Sequence, residues 1–394
     1  MSDSPFLSDG RNDVIPAFKL SSFYFCYFAF LGCLLPFWPI FLSEKGFDGL
    51  QIAAFHAVFL STKIFAPSIA GYLSDRFNIL MSVIRCSLIF AGISFSFYIL
   101  GFDYLELIVI GVVYSVFWNA ILSQFEAYTL CRLDSQANRY SRIRLWGSIG
   151  FIVLSFSLGV VFEWLSIQWL PFIMIALIVF ASYISFQLSE LAKTEESDPK
   201  KRVQKLMPVL KKPAVVSFLL ICFFIQLSHG AYYSFYSLYL EGYGFSNYWI
   251  GGLWSVGVVA EIILFLIFPY YLKKYGEYVL LVLSIILTVL RWLVIGYFPE
   301  SLSLVLFAQG LHAFSFGCLH VVSMVYVQRF FPSGLSGRGQ ALYSGVSFGL
   351  GGAIGAIISG FLWESGLERN VIFYVAAVSA FLALLVSVRL KPQY

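Results

Sequence analysis

The stretch that decides the fold is Leu20–Ser43, LSSFYFCYFAFLGCLLPFWPIFLS, in which no residue carries a charge. A membrane-spanning helix needs about 20 consecutive, mostly apolar residues, so this run alone is long enough to cross a bilayer. Similar uncharged runs follow at Leu107–Phe125, Leu145–Phe162, Trp164–Ser189, Pro213–Leu240, Ser301–Gln328, Gly339–Trp363 and Asn370–Val388. Four more runs, at residues 49–73, 79–101, 247–272 and 278–298, reach full length with one charge each. The sequence therefore predicts twelve transmembrane helices.

The composition excludes most other classes of protein. Of the 394 residues, 60% are apolar and only 12% are charged, whereas a soluble protein has about 25% charged residues. A soluble enzyme, a disordered chain and a nucleic-acid binder are therefore excluded. The six cysteines lie scattered in apolar runs without a CxxC pair, and we expect them to act as small apolar residues. No HxxxH or HExxH pattern indicates a metal site, so we expect no metal and no cofactor.

The distribution of basic residues predicts the orientation. If the N-terminus is cytoplasmic, 21 of the 25 Lys and Arg residues fall on the cytoplasmic side, as the positive-inside rule requires. Both termini would then be cytoplasmic. Residues 1–17 are polar and lack a signal-peptide pattern.

An internal repeat accompanies a single long hydrophilic segment. A shift of 198 residues superimposes Gly32, Phe37, Leu42, Gly46, Phe47, Ile52, Val58 and Ile64 on Gly230, Phe235, Leu240, Gly244, Phe245, Ile250, Val256 and Ile262. We therefore expect an N-terminal tail (1–17), a six-helix bundle (18–189), a linker (190–212), a second six-helix bundle (213–390) and a C-terminal tail (391–394). Two parallel halves with a site between them are typical of major facilitator transporters.

Several charges interrupt the apolar helices, where each costs about 2.5–3.5 kcal/mol and usually faces a cavity. Counted at 1.5 Å per residue from the boundary between the two helices, Glu261 lies about 18 Å deep and Arg291 about 21 Å deep. We therefore expect them to pair at mid-membrane. Glu126 and Arg144 have matching depths nearer the cytoplasm. Both pairs are also compatible with a purely structural role.

Lys63 is the mid-membrane charge without an evident partner, because no carboxylate lies three or four residues away along the helix. The interior charges, Lys63, Arg144 and Arg291 against Glu126 and Glu261, therefore carry one excess positive charge. This excess favours an anionic substrate such as a carboxylate. The alternative is that Lys63 pairs with an uncharged polar group.

Histidines and tryptophans supply further candidates. His312 and His320 are eight residues apart, about 80° around a helix of 3.6 residues per turn, and either can relay a proton. Trp38 and Trp254 lie in helices 1 and 8, which line the cleft in this architecture. Their rings could stack on an aromatic substrate or on a sugar.

The segment Gly71-Tyr-Leu-Ser-Asp75-Arg76 resembles the G-x-L-x-D-R signature of the major facilitator superfamily. The resemblance implies that Gly71 permits close helix contact and that Asp75 and Arg76 latch the cytoplasmic gate. The following Phe77-Asn78-Ile79 departs from the usual basic tail.

Longer stretches resemble the phenylpropionate permease family, which is related to lactose permease. They are LPFWPIFL in helix 1, Arg144-Leu-Trp-Gly-Ser in helix 5, His229-Gly-Ala-Tyr-Tyr in helix 7, GLWSVGVVAE ending at Glu261, Leu290-Arg291-Trp292 and Leu311-His312. The resemblance implies substrate contacts for Glu126 and Arg144, and a proton-coupling network of Glu261, Arg291 and His312. Lactose permease has a proton-binding glutamate where this chain has Ser315, so we place the proton on Glu261.

The sequence thus predicts an all-α membrane protein of the major facilitator fold. We expect a proton-coupled symporter that imports a small organic anion such as a phenylpropionate; the alternative is a proton-linked sugar or nucleoside transporter. A membrane-embedded enzyme is disfavoured because no catalytic cluster is evident. We expect a monomer in the bacterial inner membrane, with no nucleic-acid partner. The expected substrate-binding residues are Lys63, Glu126, Arg144, Trp38, Trp254, His229 and His320.

Overall fold

The computed structural model describes residues 16–133, 136, 139–191, 206–331 and 335–390. Within these ranges the chain is almost wholly helical, and eleven helical segments are long and apolar enough to cross a membrane. One of them, Asn247–Tyr297, has 51 residues and is interrupted at Gly276, where φ is 74° and ψ is 166°. Since a left-handed φ of this kind favours glycine, Gly276 divides the segment into two spans. The described residues therefore contain the twelve membrane helices that the sequence predicts.

The twelve membrane helices are numbered in chain order. They are α1 (Ala17–Glu44), α2 (Gly49–Phe77), α3 (Leu80–Ile99), α4 (Tyr104–Leu133), α5 (Tyr140–Val161), α6 (Ile167–Phe186), α7 (Pro213–Gly242), α8 (247–275), α9 (277–297), α10 (Leu302–Phe330), α11 (Ser336–Trp363) and α12 (Val371–Leu390). Most of the predicted tails and linker, residues 1–15, 192–205 and 391–394, lies outside the described residues. The predicted domain boundaries therefore stay predictions.

The internal repeat has matching local geometry in both halves. Gly46 after α1 and Gly244 after α7 adopt φ values of 89° and 83°. A Cβ atom at Gly32 in α1 would lie 2.6 Å from a backbone oxygen of α5, and one at Gly230 in α7 would lie 2.2 Å from a backbone carbon of α11. Equivalent glycines thus permit equivalent close contacts between helices, as two pseudo-symmetric bundles require.

The two halves pack tightly at the end of the molecule away from the linker, called here the far end. The opposite end, where α6 ends and α7 begins, is called the linker end. At the far end a Cβ atom on Gly251 of α8 would lie 2.2 Å from the backbone oxygen of Ser155 in α5. The backbone N–H of Gly49 in α2 also donates to Glu364 Oε1 after α11 over 2.6 Å. These contacts close the far end.

Three helices lose regular α geometry near the interior charges. Helix α2 passes through a 3₁₀ turn at Thr62–Ile64. Helices α10 and α11 contain π-helical segments at Ala313–Cys318 and Gly345–Gly351. Short 3₁₀ and π segments inside helices are frequent at functional sites, and these three mark the candidate site.

Candidate functional site

The 3₁₀ turn in α2 is held in place by Asn119 of α4. Its side-chain amide donates to the backbone oxygen of Phe59 over 2.7 Å and to Thr62 Oγ1 over 2.8 Å. A break in a helix frees backbone carbonyls, which must find donors when they are buried. Asn119 supplies that donor and fixes the turn that carries Lys63.

Lys63 is half-buried and lies at the boundary between the two halves. Its Nζ atom is 5.5 Å from the ring centroid of Phe59 in α2 and 5.8 Å from that of Phe348 in α11. In the described part of the chain, no carboxylate lies within ion-pair distance of this ammonium group. Aromatic faces attract a cation more weakly than a carboxylate does, so Lys63 remains available to an anion.

Glu126 of α4 and Arg144 of α5 meet, with Glu126 Oε1 3.5 Å from Arg144 Nε. The guanidinium group also lies 3.9 Å from the ring centroid of Phe28. About 30% of each side chain is exposed, 31% for Glu126 and 28% for Arg144. The pair is therefore electrically balanced and accessible.

Arg291 of α9 does not form the predicted ion pair with Glu261. Its guanidinium is fully buried and donates to Gln309 Oε1 over 2.8 Å and to Ser315 Oγ over 2.9 Å. It is also 4.4 Å from the ring centroid of Tyr232. The prediction was wrong because neutral acceptors on α10 occupy the guanidinium.

Glu261 of α8 pairs with His312 instead. Its Oε1 atom is 2.8 Å from His312 Nε2. Gly317 of α10 packs against the carboxylate stem, since a Cβ atom there would lie 3.4 Å from Glu261 Cγ. The acid therefore lies against α10, hydrogen-bonded to a histidine.

His320 lies one turn beyond Gly317, and its Nδ1 atom is 3.2 Å from the hydroxyl of Tyr343 in α11. The ring of Phe316 is parallel to His312 on one side and to His320 on the other, with centroids 5.5 Å and 6.3 Å away. The two histidines thus share one face of α10. The π-helical segment places more residues in each turn and brings both rings into one row.

The two tryptophan candidates are more buried inside the protein than expected. Trp38 is fully buried and packs inside the first half against Phe95 and Tyr98, so its predicted place on the cleft is wrong. Trp254 is also buried, and its indole N–H donates to Ser237 Oγ over 3.0 Å.

His229 of α7 is fully buried as well. Its Nδ1 atom lies 2.8 Å from the backbone oxygen of Ile225, and its ring meets Trp292 edge-on with centroids 5.0 Å apart. These contacts place the imidazole within the second half, against the expectation that it lines a substrate cavity.

The signature segment lies at the linker end of α2. A Cβ atom on Gly71 would come 3.4 Å from Gln124 Nε2 of α4, which agrees with a close contact between helices there. Asp75 is exposed. Arg76 donates to the hydroxyl of Tyr72 and lies against that ring and the ring of Phe77.

Three residues of the site were missed by sequence reasoning. They are Asn119, which fixes the turn that carries Lys63, Gln309, which binds Arg291, and Tyr343, which binds His320. Each is an uncharged polar side chain within a membrane-spanning helix. Because buried polar groups need partners, that position was the available signal.

Twelve helices in two repeated halves, with charged side chains at the boundary between them, define a transporter of the major facilitator superfamily. A family model described as "MFS_1 like family" matches residues 17–375. The chain belongs to that family, and it is an integral membrane protein.

Curated relatives agree with this assignment. The chain is 26% identical over 378 residues to the "Probable 3-phenylpropionic acid transporter" of Escherichia coli (strain K12), covering 94% of this chain and 97% of the relative. It is 24% identical over 349 residues to the maltose permease of Geobacillus stearothermophilus, covering 87% and 86% of the two chains.

Solved structures share the fold. A crystal structure of a mutant of the nucleoside transporter NupG has a TM-score of 0.84 and 16% identity, covering 95% of this chain and 100% of that one. The POT family transporter PepTSo has a TM-score of 0.74 and 13% identity, covering 95% and 96% of the two chains. At these identities the likeness concerns the fold alone.

Proposed function

We propose that this transporter is a proton-coupled symporter that imports a small organic anion, such as an aromatic carboxylate. The proposal places it in the bacterial inner membrane as a monomer with both termini in the cytoplasm. The relative named for 3-phenylpropionic acid supports this substrate class, since the match extends over 94% of this chain. The linker end is then the cytoplasmic end.

The observation that carries the anionic substrate is the surroundings of Lys63. Its ammonium group lies over two phenyl rings, with no carboxylate of the described residues within reach. Arg144, in contrast, already has Glu126 as a counter-ion. A substrate carboxylate at the boundary between the halves would supply the missing partner of Lys63.

The coupled proton is assigned to Glu261 and its partner His312. A protonated Glu261 adds positive charge to the cavity, and an entering anion cancels it. Binding of each therefore favours binding of the other, because unlike charges attract strongly where water is sparse. In this scheme Arg291 is a fixed cation with neutral partners, and it takes no part in the transfer of the proton.

Transport would follow from rocking of the two halves about this central site. The contacts of Gly251 and Glu364 close the far end. The exposed fraction of the Glu126–Arg144 pair supports access from the linker end. The conformation is then the one that releases substrate to the cytoplasm.

The test is uptake of labelled 3-phenylpropionate by purified protein in liposomes with an imposed pH gradient. We expect accumulation when the outside is acidic, and its loss when a protonophore collapses the gradient. Glu261→Gln should abolish accumulation. Uptake by the wild type that does not depend on the pH gradient would contradict the proton coupling. Failure of the wild type to take up any organic anion would contradict the substrate class.

A neutral sugar or nucleoside is the second candidate. The balanced Glu126–Arg144 pair favours it, because a carboxylate and a guanidinium together can bind hydroxyl groups. Competition of maltose or a nucleoside with labelled 3-phenylpropionate, measured in the same liposomes, separates the two candidates. Transport of the neutral solute alone would establish the second.

A further inference from the structure

We propose that His320, oriented by Tyr343, is the group through which the coupled proton passes between Glu261 and the linker end. The inference rests on the proposed proton coupling and adds to it an exit route. The sequence offered His320 both as a substrate contact and as a proton relay, and this inference assigns it the second role.

The π-helical segment of α10 makes this arrangement. Glu261 packs on Gly317, with His312 five residues before it along the helix and His320 three residues after it. Both histidines lie in one row with the ring of Phe316. His312 bonds the carboxylate directly, and His320 is the next histidine along that row. The charge of Glu261 also reaches His320.

The two histidines differ in depth. His320 follows His312 by eight residues, and α10 runs from the far end toward the linker end, so His320 lies nearer the linker end. His320 is also half-buried, while His312 is buried. The Glu261–His312 pair is therefore placed to hold the proton at mid-membrane, and His320 to exchange it with the open side.

A small cavity lies beside His320 between α7, α10 and α11. Its polar lining includes Gln226, Ser323, Tyr343 and Ser347. Cavities of this kind hold water when several polar groups can bind it. Water there would take the proton from the imidazole.

The proton step is balanced as follows. Neutral Glu261 loses its proton and becomes a carboxylate, while His320 gains that proton and becomes an imidazolium. Tyr343 occupies Nδ1, so Nε2 is the nitrogen left to exchange. The imidazolium then releases its proton to water.

The neighbouring charges decide how long the proton stays on His320. Arg144 faces it from α5, and Glu261 has Arg291 of α9 nearby in addition. Tyr232 and Tyr233 of α7 are the other titratable groups within reach of the carboxylate. Arg144 opposes a lasting imidazolium and the Glu261 carboxylate favours it, so His320 can take the proton from Glu261 and pass it on to water.

His320→Gln tests the inference, because glutamine can still bond to Tyr343 but cannot carry a proton. In liposomes, we expect accumulation of labelled 3-phenylpropionate driven by a pH gradient to fall about 100-fold or more, since a proton-transfer group usually contributes about 10²–10⁴-fold. Exchange of labelled for unlabelled 3-phenylpropionate without a gradient should persist, since it needs no net proton release.

Tyr343→Phe removes only the hydroxyl group and serves as the second variant. We expect a smaller loss of accumulation, about 2- to 10-fold for one hydrogen bond. His56→Gln is the matched control, since this buried histidine of α2 bonds its own helix at Ile52 and should leave coupling unchanged.

The outcomes separate this inference from the proposed function. If the wild type is driven by the gradient and His320→Gln is driven equally, the inference is wrong. Equal loss of accumulation and exchange in both His320→Gln and Tyr343→Phe would also overturn it, because that pattern indicates substrate binding. If the wild type itself ignores the gradient, the proposed coupling fails, whatever the variants do.

Discussion

Replacing Lys63 by leucine should weaken anion transport and stabilise the protein at the same time. A hydrogen bond between an ammonium group and a carboxylate contributes about 1.5–3 kcal/mol. At about 1.4 kcal/mol for each factor of ten, loss of that bond raises KM for 3-phenylpropionate about 10- to 140-fold. Uptake by liposomes over a range of substrate concentrations measures this change.

The same substitution should raise the free energy of unfolding. A charge within a membrane helix costs about 2.5–3.5 kcal/mol. The rings of Phe59 and Phe348 offset this cost by about 0.5–1 kcal/mol each through cation–π contacts with Lys63. Lys63→Leu is therefore expected to raise stability by about 0.5–2.5 kcal/mol. Thermal unfolding in detergent without substrate tests this expectation.

Lys45 provides the matched control. Its Nζ atom also lies 5.5 Å from a phenyl ring, that of Phe41, but it is exposed at the far end. Lys45→Leu should change neither KM nor the unfolding temperature. If Lys63→Leu transports 3-phenylpropionate with an unchanged KM, the argument that this ammonium binds the substrate is refuted.

Two further substitutions test the packing that positions the site. Gly251→Ala should block closure of the far end and reduce uptake, because the added Cβ atom would lie 2.2 Å from a backbone oxygen of α5, whereas Gly252→Ala meets nothing within 4 Å and should transport normally. Gln309→Leu removes an acceptor from the buried Arg291 and should lower stability by about 1.5–3 kcal/mol in thermal unfolding. Gln168→Leu, which loses only an exposed hydrogen bond, should leave the unfolding temperature unchanged.

The helices could be predicted because span length is a one-dimensional property. Each bilayer crossing needs about 20 apolar residues, and the runs in the sequence meet that requirement without knowledge of their neighbours. The break at Gly276 could be predicted in the same way. The sequence has a charged segment between two apolar runs there, and the structure shows that the break is made by a left-handed φ of 74° at Gly276.

The partners of the interior charges could be predicted only in part. Depth can be counted along a helix, and that sufficed for Glu126 and Arg144. The direction in which a side chain points around the helix depends on its exact winding. In the structure Gln309 and Ser315 of α10 accept from Arg291, and so His312 rather than Arg291 faces Glu261.

Trp38 shows a second limit of sequence reasoning. A tryptophan in α1 can face the cleft or the other helices of its own half, and apolar residues on both faces give no preference. In the structure it joins an aromatic cluster with Phe55 and Phe95. Packing among neighbours, which the sequence does not display, decided its orientation.

The irregular segments explain why the charges lie where they do. A regular α-helix satisfies its own backbone hydrogen bonds, so its backbone does not require a neighbouring helix to bind at one particular height. The 3₁₀ turn at Thr62–Ile64 requires Asn119, and it packs on the π segment of α11, where a Cβ atom on Gly349 would lie 2.5 Å from the side chain of Ile64. Lys63 is thus fixed where α2 meets the second half. A movement of one half against the other must change this contact, so the residue proposed to bind the substrate lies on the surface that transport rearranges.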